Sequence, residues 1–103
     1  MAEKIDALTK RPGCPPRHVW VSNSLEALKK AVGGYIEVVR LATNLVVICD
    51  EEGRLKGKEY NCTICGYDFV GDIVIVGTDG EEFADLPVKW EVLKALLPQL
   101  WEK

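Results

Sequence analysis

The chain has 103 residues, of which 48% are hydrophobic and 28% are charged, and its formal net charge is −3 at pH 7. These values fit an ordinary globular domain and exclude an intrinsically disordered chain. A weakly acidic chain also lacks the basic field that sequence-independent nucleic-acid binding requires, so we expect no nucleic-acid partner.

The amino-terminal residues 1–17 are predicted to be irregular or flexible, within a single domain of residues 1–103. Pro12, Pro15 and Pro16 interrupt any regular element at the end of this segment. The start of the chain has no apolar core of signal-peptide length, and no apolar run approaches the roughly 20 residues of a membrane span. We therefore expect a cytoplasmic protein with reduced cysteines and no membrane partner.

The next segments predict a strand, a helix and a second strand. His18–Val21 is rich in β-forming residues. A helix is predicted over Leu25–Val32, with Asn23 as its cap. Gly33 ends this helix, because glycine takes the left-handed conformation at little cost. A strand is then predicted over Tyr35–Leu41.

Two later segments are continuous apolar runs, which is typical of interior strands covered on both faces. These segments are Leu45–Cys49 and Ile73–Val76. Between them, the sequence 50–53 predicts a hairpin turn with solvated acidic side chains and with Gly53 in the left-handed region. The turn is predicted to lead into a strand that carries Arg54, Lys56 and Lys58 on one face. This basic face is either a solvated sheet face or a surface for a small anionic ligand or an acidic partner.

A C-terminal helix is predicted to open at Asp85-Leu86-Pro87. Its apolar stripe consists of Trp90, Leu93, Leu97 and Trp101. Together, the elements predict an α+β fold with one small, mostly antiparallel sheet of about four strands, an early helix and a C-terminal helix.

The predicted elements carry more apolar surface than so few of them cover easily, so we expect a homodimer. The C-terminal helix is expected near its interface. Truncation after Leu97, which removes Leu100 and Trp101, is then expected to weaken the dimer more than the fold.

Four residues could form a zinc site. The spacing of Cys62 and Cys65 lets both thiolates reach one ion, and Cys14 and His18 could complete a set of four ligands. The second close cysteine pair of a usual zinc knuckle is missing, and isolated cysteines are often small buried hydrophobes. We therefore expect no metal and no cofactor, and keep a zinc-stabilised structural or interaction module as an alternative.

The sequence offers no clear nucleophile and base. The sequence places no candidate nucleophile together with His18, because Ser22 and Ser24 are better explained as helix caps. We therefore expect no enzymatic activity, with a small hydrolase as a further alternative.

Several motifs occur together in order, at residues 33–39, 50–53, 61 and 71–77 (GGYIEVV, DEEG, Asn61 and GDIVIVG). Over about residues 25–86, this pattern resembles family three-eight-four-six of the domains of unknown function, which phages and mobile elements of Gram-positive bacteria carry. The resemblance implies no enzymatic activity. It suggests an accessory role in the producing or infected bacterial cell, such as sequestering a host protein or a small signalling molecule.

Tyr35, Glu37 and Asn61 are the predicted ligand- or partner-binding residues. They are polar or amphipathic groups inside the matched motifs, where a purely structural strand would accept valine. The alternative interpretation is that Tyr35 packs, Glu37 is solvated and Asn61 caps a turn.

Overall fold

The computed structural model describes residues 4–101, except for the side chain of Trp90. Within this range the chain forms eight strands, two α-helices and one 3₁₀ turn. They follow in the order β1 (Lys4–Lys10), β2 (Arg17–Ser22), α1 (Leu25–Val32), β3 (Ile36–Ala42), β4 (Leu45–Asp50), β5 (Tyr60–Ile64), β6 (Tyr67–Val70), β7 (Ile73–Asp79), β8 (Glu82–Ala84), α2 (Trp90–Leu96) and the 3₁₀ turn Pro98–Leu100.

The main sheet is antiparallel and has the strand order β2-β1-β7-β4-β3. β8 adds to it by pairing with the end of β7 that β1 does not reach. β5 and β6 form a separate two-stranded hairpin. The predicted α+β class with a mostly antiparallel sheet is confirmed, but the prediction of about four strands was wrong, because the main sheet has six.

Strand β1 overturns the expectation that residues 1–17 are irregular. It lies inside the sheet, between β2 and β7. Ile5 and Ala7 pack on one side of the sheet and Leu8 packs on the other. The prolines therefore end a strand instead of marking an unstructured segment. Residues 1–3 lie outside the described residues.

Both faces of the interior strands are covered, as predicted for β4 and β7. Helix α1 covers one face through Leu28 and Val32. The β5–β6 hairpin, α2 and the 3₁₀ turn cover the other, where Leu93 and Leu100 are fully buried. The chain covers its own sheet, so uncovered apolar strands no longer argue for a dimer. The homodimer itself stays a prediction.

Helix α1 has the predicted bounds, and its local signals explain them. Gly33 has a φ of 83°, which confirms the left-handed cap. The N-cap is Ser24, whose Oγ accepts a hydrogen bond from the Ala27 N–H at 3.1 Å. The expectation of Asn23 as cap was wrong, since its amide instead donates to the Phe83 carbonyl at 3.4 Å.

The C-terminal helix begins later than predicted, at Trp90. Asp85 does not cap it, because its Oδ1 accepts the Asp6 N–H at 2.8 Å. Leu97 and Trp101 pack on the core around Leu93, while the side chain of Trp90 lies outside the described residues. Among residues 4–101, no helix is long and apolar enough to cross a bilayer.

Candidate functional site

A cleft of about 320 Å³ opens where β3 and β4 meet the β5–β6 hairpin and the segment 51–57 that follows β4. Its volume lies within the range of small-molecule sites. The apolar part of its wall consists of Cys49, Leu55, Phe69 and Val70, and the polar part includes Glu37, Glu51, Arg54, Tyr67 and Asp68.

Glu37 is the half-buried carboxylate of the cleft. It lies on β3, which forms one edge of the sheet. Its Oε2 accepts a long hydrogen bond of 3.4 Å from the Tyr67 hydroxyl. Among residues 4–101 it forms no ion pair. A carboxylate has about four lone-pair positions, so Glu37 keeps most of its acceptor capacity.

Arg54 places a positive charge in the same cleft. Its guanidinium lies 5.7 Å from the centroid of the Tyr67 ring and donates to the Asp68 carbonyl oxygen. The ring of Phe69 also packs against Tyr67, with its centroid 4.7 Å away. No carboxylate of residues 4–101 forms an ion pair with Arg54. Tyr67 therefore has a carboxylate at its hydroxyl and a guanidinium over its ring.

The thiol of Cys49 is the only cysteine side chain that lines this cleft within the described chain. Burial raises its pKa to about 11, and the negative charges of Glu37 and Asp50 add to the rise, while Arg54 opposes it. Burial and Glu37 also raise the pKa of the Tyr67 phenol. Both groups stay protonated at neutral pH, so the Cys49 thiol is a poor nucleophile.

A buried carboxylate holds the segment that forms one wall of the cleft. Asp50 ends β4, and its side chain is only 1% exposed. Its Oδ2 accepts from the ammonium groups of Lys56 at 2.8 Å and Lys58 at 2.7 Å. Its Oδ1 accepts the Glu52 N–H at 2.9 Å. We call Asp50, Lys56 and Lys58 the Asp50 cluster.

The Asp50 cluster also ties this segment to the end of α1. Lys58 donates to the Val32 carbonyl at 2.8 Å and Lys56 donates to the Gly33 carbonyl at 3.2 Å. Lysines are favourable here, because the last carbonyls of a helix lack partners within it. At Gly34, an added Cβ would lie 2.6 Å from Asp50 Oδ1, so the glycine makes room for the cluster.

Three expectations about residues 50–58 were therefore wrong. The segment after Asp50 is a series of turns and not a strand. Asp50 is buried instead of solvated, because two lysines neutralise its charge. Gly53 is not among the residues with positive φ; it is buried, and an added Cβ would lie 2.9 Å from a methyl group of Val70.

A second buried polar group joins the hairpin to β1. Asn61 Oδ1 accepts from the Lys10 ammonium at 2.8 Å. The Asn61 amide donates to the carbonyls of Lys10 at 2.9 Å and Gly71 at 2.7 Å. We call Lys10, Asn61 and Gly71 the Asn61 cluster. All three hydrogen bonds lie inside the protein, and they fix the start of β5 against the main sheet.

The Asp50 cluster predicts a defined pH dependence. Burial alone would raise the pKa of the Asp50 carboxyl, but hydrogen bonds from Lys56 and Lys58 lower it from 3.8 to about 2. A carboxyl whose pKa is lower in the folded state stabilises the fold at every pH above its unfolded-state pKa. This stabilisation is lost as the pH falls through the folded-state pKa. We expect Asp50→Asn to lower the free energy of unfolding at pH 7 by about 1 kcal/mol or more, discounted for the partial exposure of Lys56.

The pH titration supplies the check on this prediction. In urea unfolding, the difference between wild type and Asp50→Asn is expected to be constant near neutrality and to shrink as the pH falls from about 4 towards 2. Glu81→Gln, at an exposed turn between β7 and β8, serves as the control. A difference that does not change with pH would contradict the ionised role of Asp50.

A family model described as "Domain of unknown function (DUF3846)" matches residues 5–96 of the chain. The chain belongs to this family. The match confirms the resemblance seen in the motifs. A search of curated proteins found no match, and a search of solved structures found none.

The structure places the motif residues of this DUF3846 domain mainly in its framework. Gly33 caps α1, Gly34 makes room for the Asp50 cluster, and Asn61 is only 7% exposed in its own cluster. Because every polar atom of the Asn61 side chain has a partner, a ligand would have to displace Lys10 or Gly71 to reach it. The motifs thus hold the segments around the cleft in place.

Of the three predicted binding residues, only Glu37 lines the cleft of the DUF3846 domain. Tyr35 is exposed between α1 and β3, and the Lys29 ammonium lies 4.5 Å from the centroid of its ring. Asn61 is buried and does not line the cleft. The alternative interpretation of Asn61 as structural is the one that its hydrogen bonds favour.

The four residues of the alternative zinc site do not come together. Cys62 is buried in the core, and burial raises the pKa of its thiol. Cys65 is exposed at the β5–β6 turn, and Cys14 is exposed in the turn after β1. His18 lies on β2 in contact with Asp6. No group of three potential ligands for a metal is found within residues 4–101.

Sequence reasoning missed Cys49 and Tyr67 as residues of the site, and it considered Arg54 only together with Lys56 and Lys58, as a solvated strand face or a surface for a small anionic ligand or an acidic partner. A signal existed for Tyr67, because Tyr60-Asn61-Cys62-Thr63-Ile64 and Tyr67-Asp68-Phe69-Val70 flank a Cys-Gly turn in a hairpin-like pattern. No local signal places Arg54, since its position depends on the tertiary contacts of the Asp50 cluster.

Proposed function

We propose that this DUF3846 domain is a non-enzymatic binding protein that holds a small ligand in the cleft between β3, β4 and the β5–β6 hairpin. The observation that carries the proposal is the pairing of Glu37 and Tyr67 in a cleft of about 320 Å³ with an apolar wall. Small-ligand sites are concavities in which an apolar wall is combined with placed polar groups.

Binding is favoured over hydrolysis by the state of the cleft's own groups. The Cys49 thiol has a pKa of about 11 and so stays protonated. His18, the single histidine of the chain, lies on β2, whereas the cleft is built from β3, β4, β6 and the segment between β4 and β5. The cleft thus lacks the nucleophile and base that a thiol hydrolase requires.

We further propose that the domain serves a phage or mobile element in the cytoplasm of a bacterial cell, where it sequesters a small signalling molecule of the host. The size of the cleft supports a small molecule over a host protein. The setting is suggested by the resemblance of its motifs to genes of mobile elements.

Thermal unfolding with a panel of small metabolites tests the proposal. The panel contains nucleotides, amino acids, polyamines and dicarboxylates, each at millimolar concentration. At about 100 times its Kd, a true ligand is expected to raise the Tm of the wild type by about 10 °C or more. Glu37→Gln and Tyr67→Phe are expected to reduce this shift.

Glu82→Gln is the matched control, because Glu82 is an exposed strand glutamate on β8, outside the cleft. It is expected to keep the full ligand-induced shift. A ligand that stabilises wild type, Glu37→Gln and Tyr67→Phe equally would place binding outside the cleft and contradict the proposal.

A further inference from the structure

Two opposite charges in the cleft lack a charged partner within the described chain and lie on the same tyrosine. Glu37 approaches Tyr67 at its hydroxyl, and Arg54 lies over the Tyr67 ring. We infer that the cleft binds a small zwitterion, an ammonium next to a carboxylate as in a free α-amino acid, with the ammonium on Glu37 and the carboxylate on Arg54. This inference rests on the proposed function and names its ligand class.

Glu37 has the properties of an ammonium site. Among the described residues, the one hydrogen bond to its carboxylate is the 3.4 Å contact from the Tyr67 hydroxyl. Its negative charge helps to raise the pKa of both Cys49 and Tyr67, and the charge of Arg54 acts in the opposite direction on both. A hydrogen bond to an ionised acceptor is about twice as strong as a neutral one, and the half-buried position limits competition from water.

Arg54 has the properties of a carboxylate site. A guanidinium carries five N–H donors in a planar fork that matches both oxygens of a carboxylate. The described contacts use one of these donors, towards the Asp68 carbonyl oxygen. The side chain is exposed and lies on the segment that the Asp50 cluster holds in place, so its free donors can reach a ligand in the cleft.

The spacing of the charges and the rest of the wall favour one ligand with both charges. The Glu37 carboxylate and the Arg54 guanidinium line the same cleft and approach the same tyrosine, so the ammonium and the carboxylate of one small ligand can meet both charges. An anion alone would also meet Glu37, Glu51 and Asp68, and a cation alone would meet Arg54. Such like-charge contacts select against partners with a single charge. The apolar wall of Leu55 and Val70 would face an apolar side chain of the ligand.

Calorimetric titration of the full chain with the twenty common L-amino acids is the first step of the test. The tightest binder is then compared with its amide, which keeps only the positive charge, and with its N-acetyl derivative, which keeps only the negative charge. Each derivative is expected to bind about tenfold or more weakly, because each loses one charge-assisted contact.

The variants assign each charge to its side chain. Glu37→Gln is expected to lose about tenfold affinity for the free amino acid and little for the N-acetyl derivative. Arg54→Gln is expected to lose about as much affinity for the free amino acid and little affinity for the amide. Glu82→Gln and Arg17→Gln, at exposed strand positions outside the cleft, are the matched controls.

The outcomes separate the inference from the proposed function. If no amino acid binds, but another metabolite binds in a Glu37-dependent manner, the inference of a zwitterionic ligand is wrong. The proposal that the cleft binds a small ligand then remains. If an amino acid binds to Glu37→Gln and to Arg54→Gln as tightly as to the wild type, the inference is overturned. If no panel member depends on Glu37, both fail. The blocked derivatives test the wild type directly, so a variant that does not fold leaves the inference falsifiable.

Discussion

Replacing Asn61 with alanine is expected to lower the free energy of unfolding by about 3 kcal/mol or more. The change removes the 2.8 Å acceptor of the buried Lys10 ammonium and leaves it with the Arg11 carbonyl at 3.4 Å. It also leaves the carbonyls of Lys10 and Gly71 without the amide that now donates to them. An unpaired buried charge and unpaired buried carbonyls are among the costliest defects in a fold.

Urea unfolding of the wild type, Asn61→Ala, Lys10→Met and the double variant measures this effect and its origin. If the buried ammonium is the main cause, Lys10→Met is expected to recover part of the loss when combined with Asn61→Ala, with a coupling of about 1 kcal/mol or more. Asn44→Ala, at the exposed β3–β4 turn, is expected to change stability by less than about 0.5 kcal/mol. Equal stability of the Asn61 and Asn44 variants would remove the structural role of Asn61 and return it to the candidate binding residues.

Leu100→Ala is expected to cost about 2–5 kcal/mol. Leu100 is fully buried and packs on the hairpin face of the sheet together with Leu93 and Phe69. Removing its side chain leaves a cavity that the rigid β strands beneath it cannot close. Leu96, four residues earlier and 64% exposed, provides the control. Leu96→Ala is expected to change stability by less than about 0.5 kcal/mol.

The same burial changes what truncation after Leu97 is expected to do. The deletion removes Leu100 from the core, so loss of folding should precede any loss of self-association. Denaturant unfolding and light scattering on the truncated chain distinguish the two effects. If the wild type is a dimer and the truncated protein is a monomer of wild-type stability, the expectation of a dimer interface at this end is supported.

The sequence predicted best where apolar residues are continuous or a cap residue is specific. The runs 45–49 and 73–76 contain little besides Val and Ile, and they are the interior strands β4 and β7. Helix α1 is bounded by Ser24 and Gly33, whose conformational preferences act locally. Such signals need no knowledge of the rest of the fold.

Residues whose roles depend on distant partners were missed. Strand β1 has the sequence KIDALTK, in which Lys10 is polar yet buried because Asn61, far along the chain, accepts its hydrogen bond. Asp50 has every property of a solvated turn residue until Lys56, Lys58 and the end of α1 surround it. A pattern along the chain carries no information about such partners.

The candidate site also combines a residue that a local signal predicted with residues whose positions depend on distant partners. Glu37 was predicted because it interrupts an apolar strand within a motif, and it lines the cleft. Tyr67 and Arg54 reach the cleft only through the packing of the hairpin and the turns after β4. Tyr35 and Asn61 also lie in the matched motifs, but their side chains make their contacts outside the cleft.

The position of β1 has a consequence for synthesis of the protein on the ribosome. β1 is made before its interior neighbour β7, and six other helices and strands are made between the two. Until β7 emerges, the nascent chain can pair β1 only with β2, and a lone hairpin is marginally stable in water. Ile5, Ala7 and Leu8 then remain exposed on a strand with an open edge, which is a template for aggregation. The nascent chain should therefore depend on chaperones most strongly in the interval before residues 73–75 leave the exit tunnel.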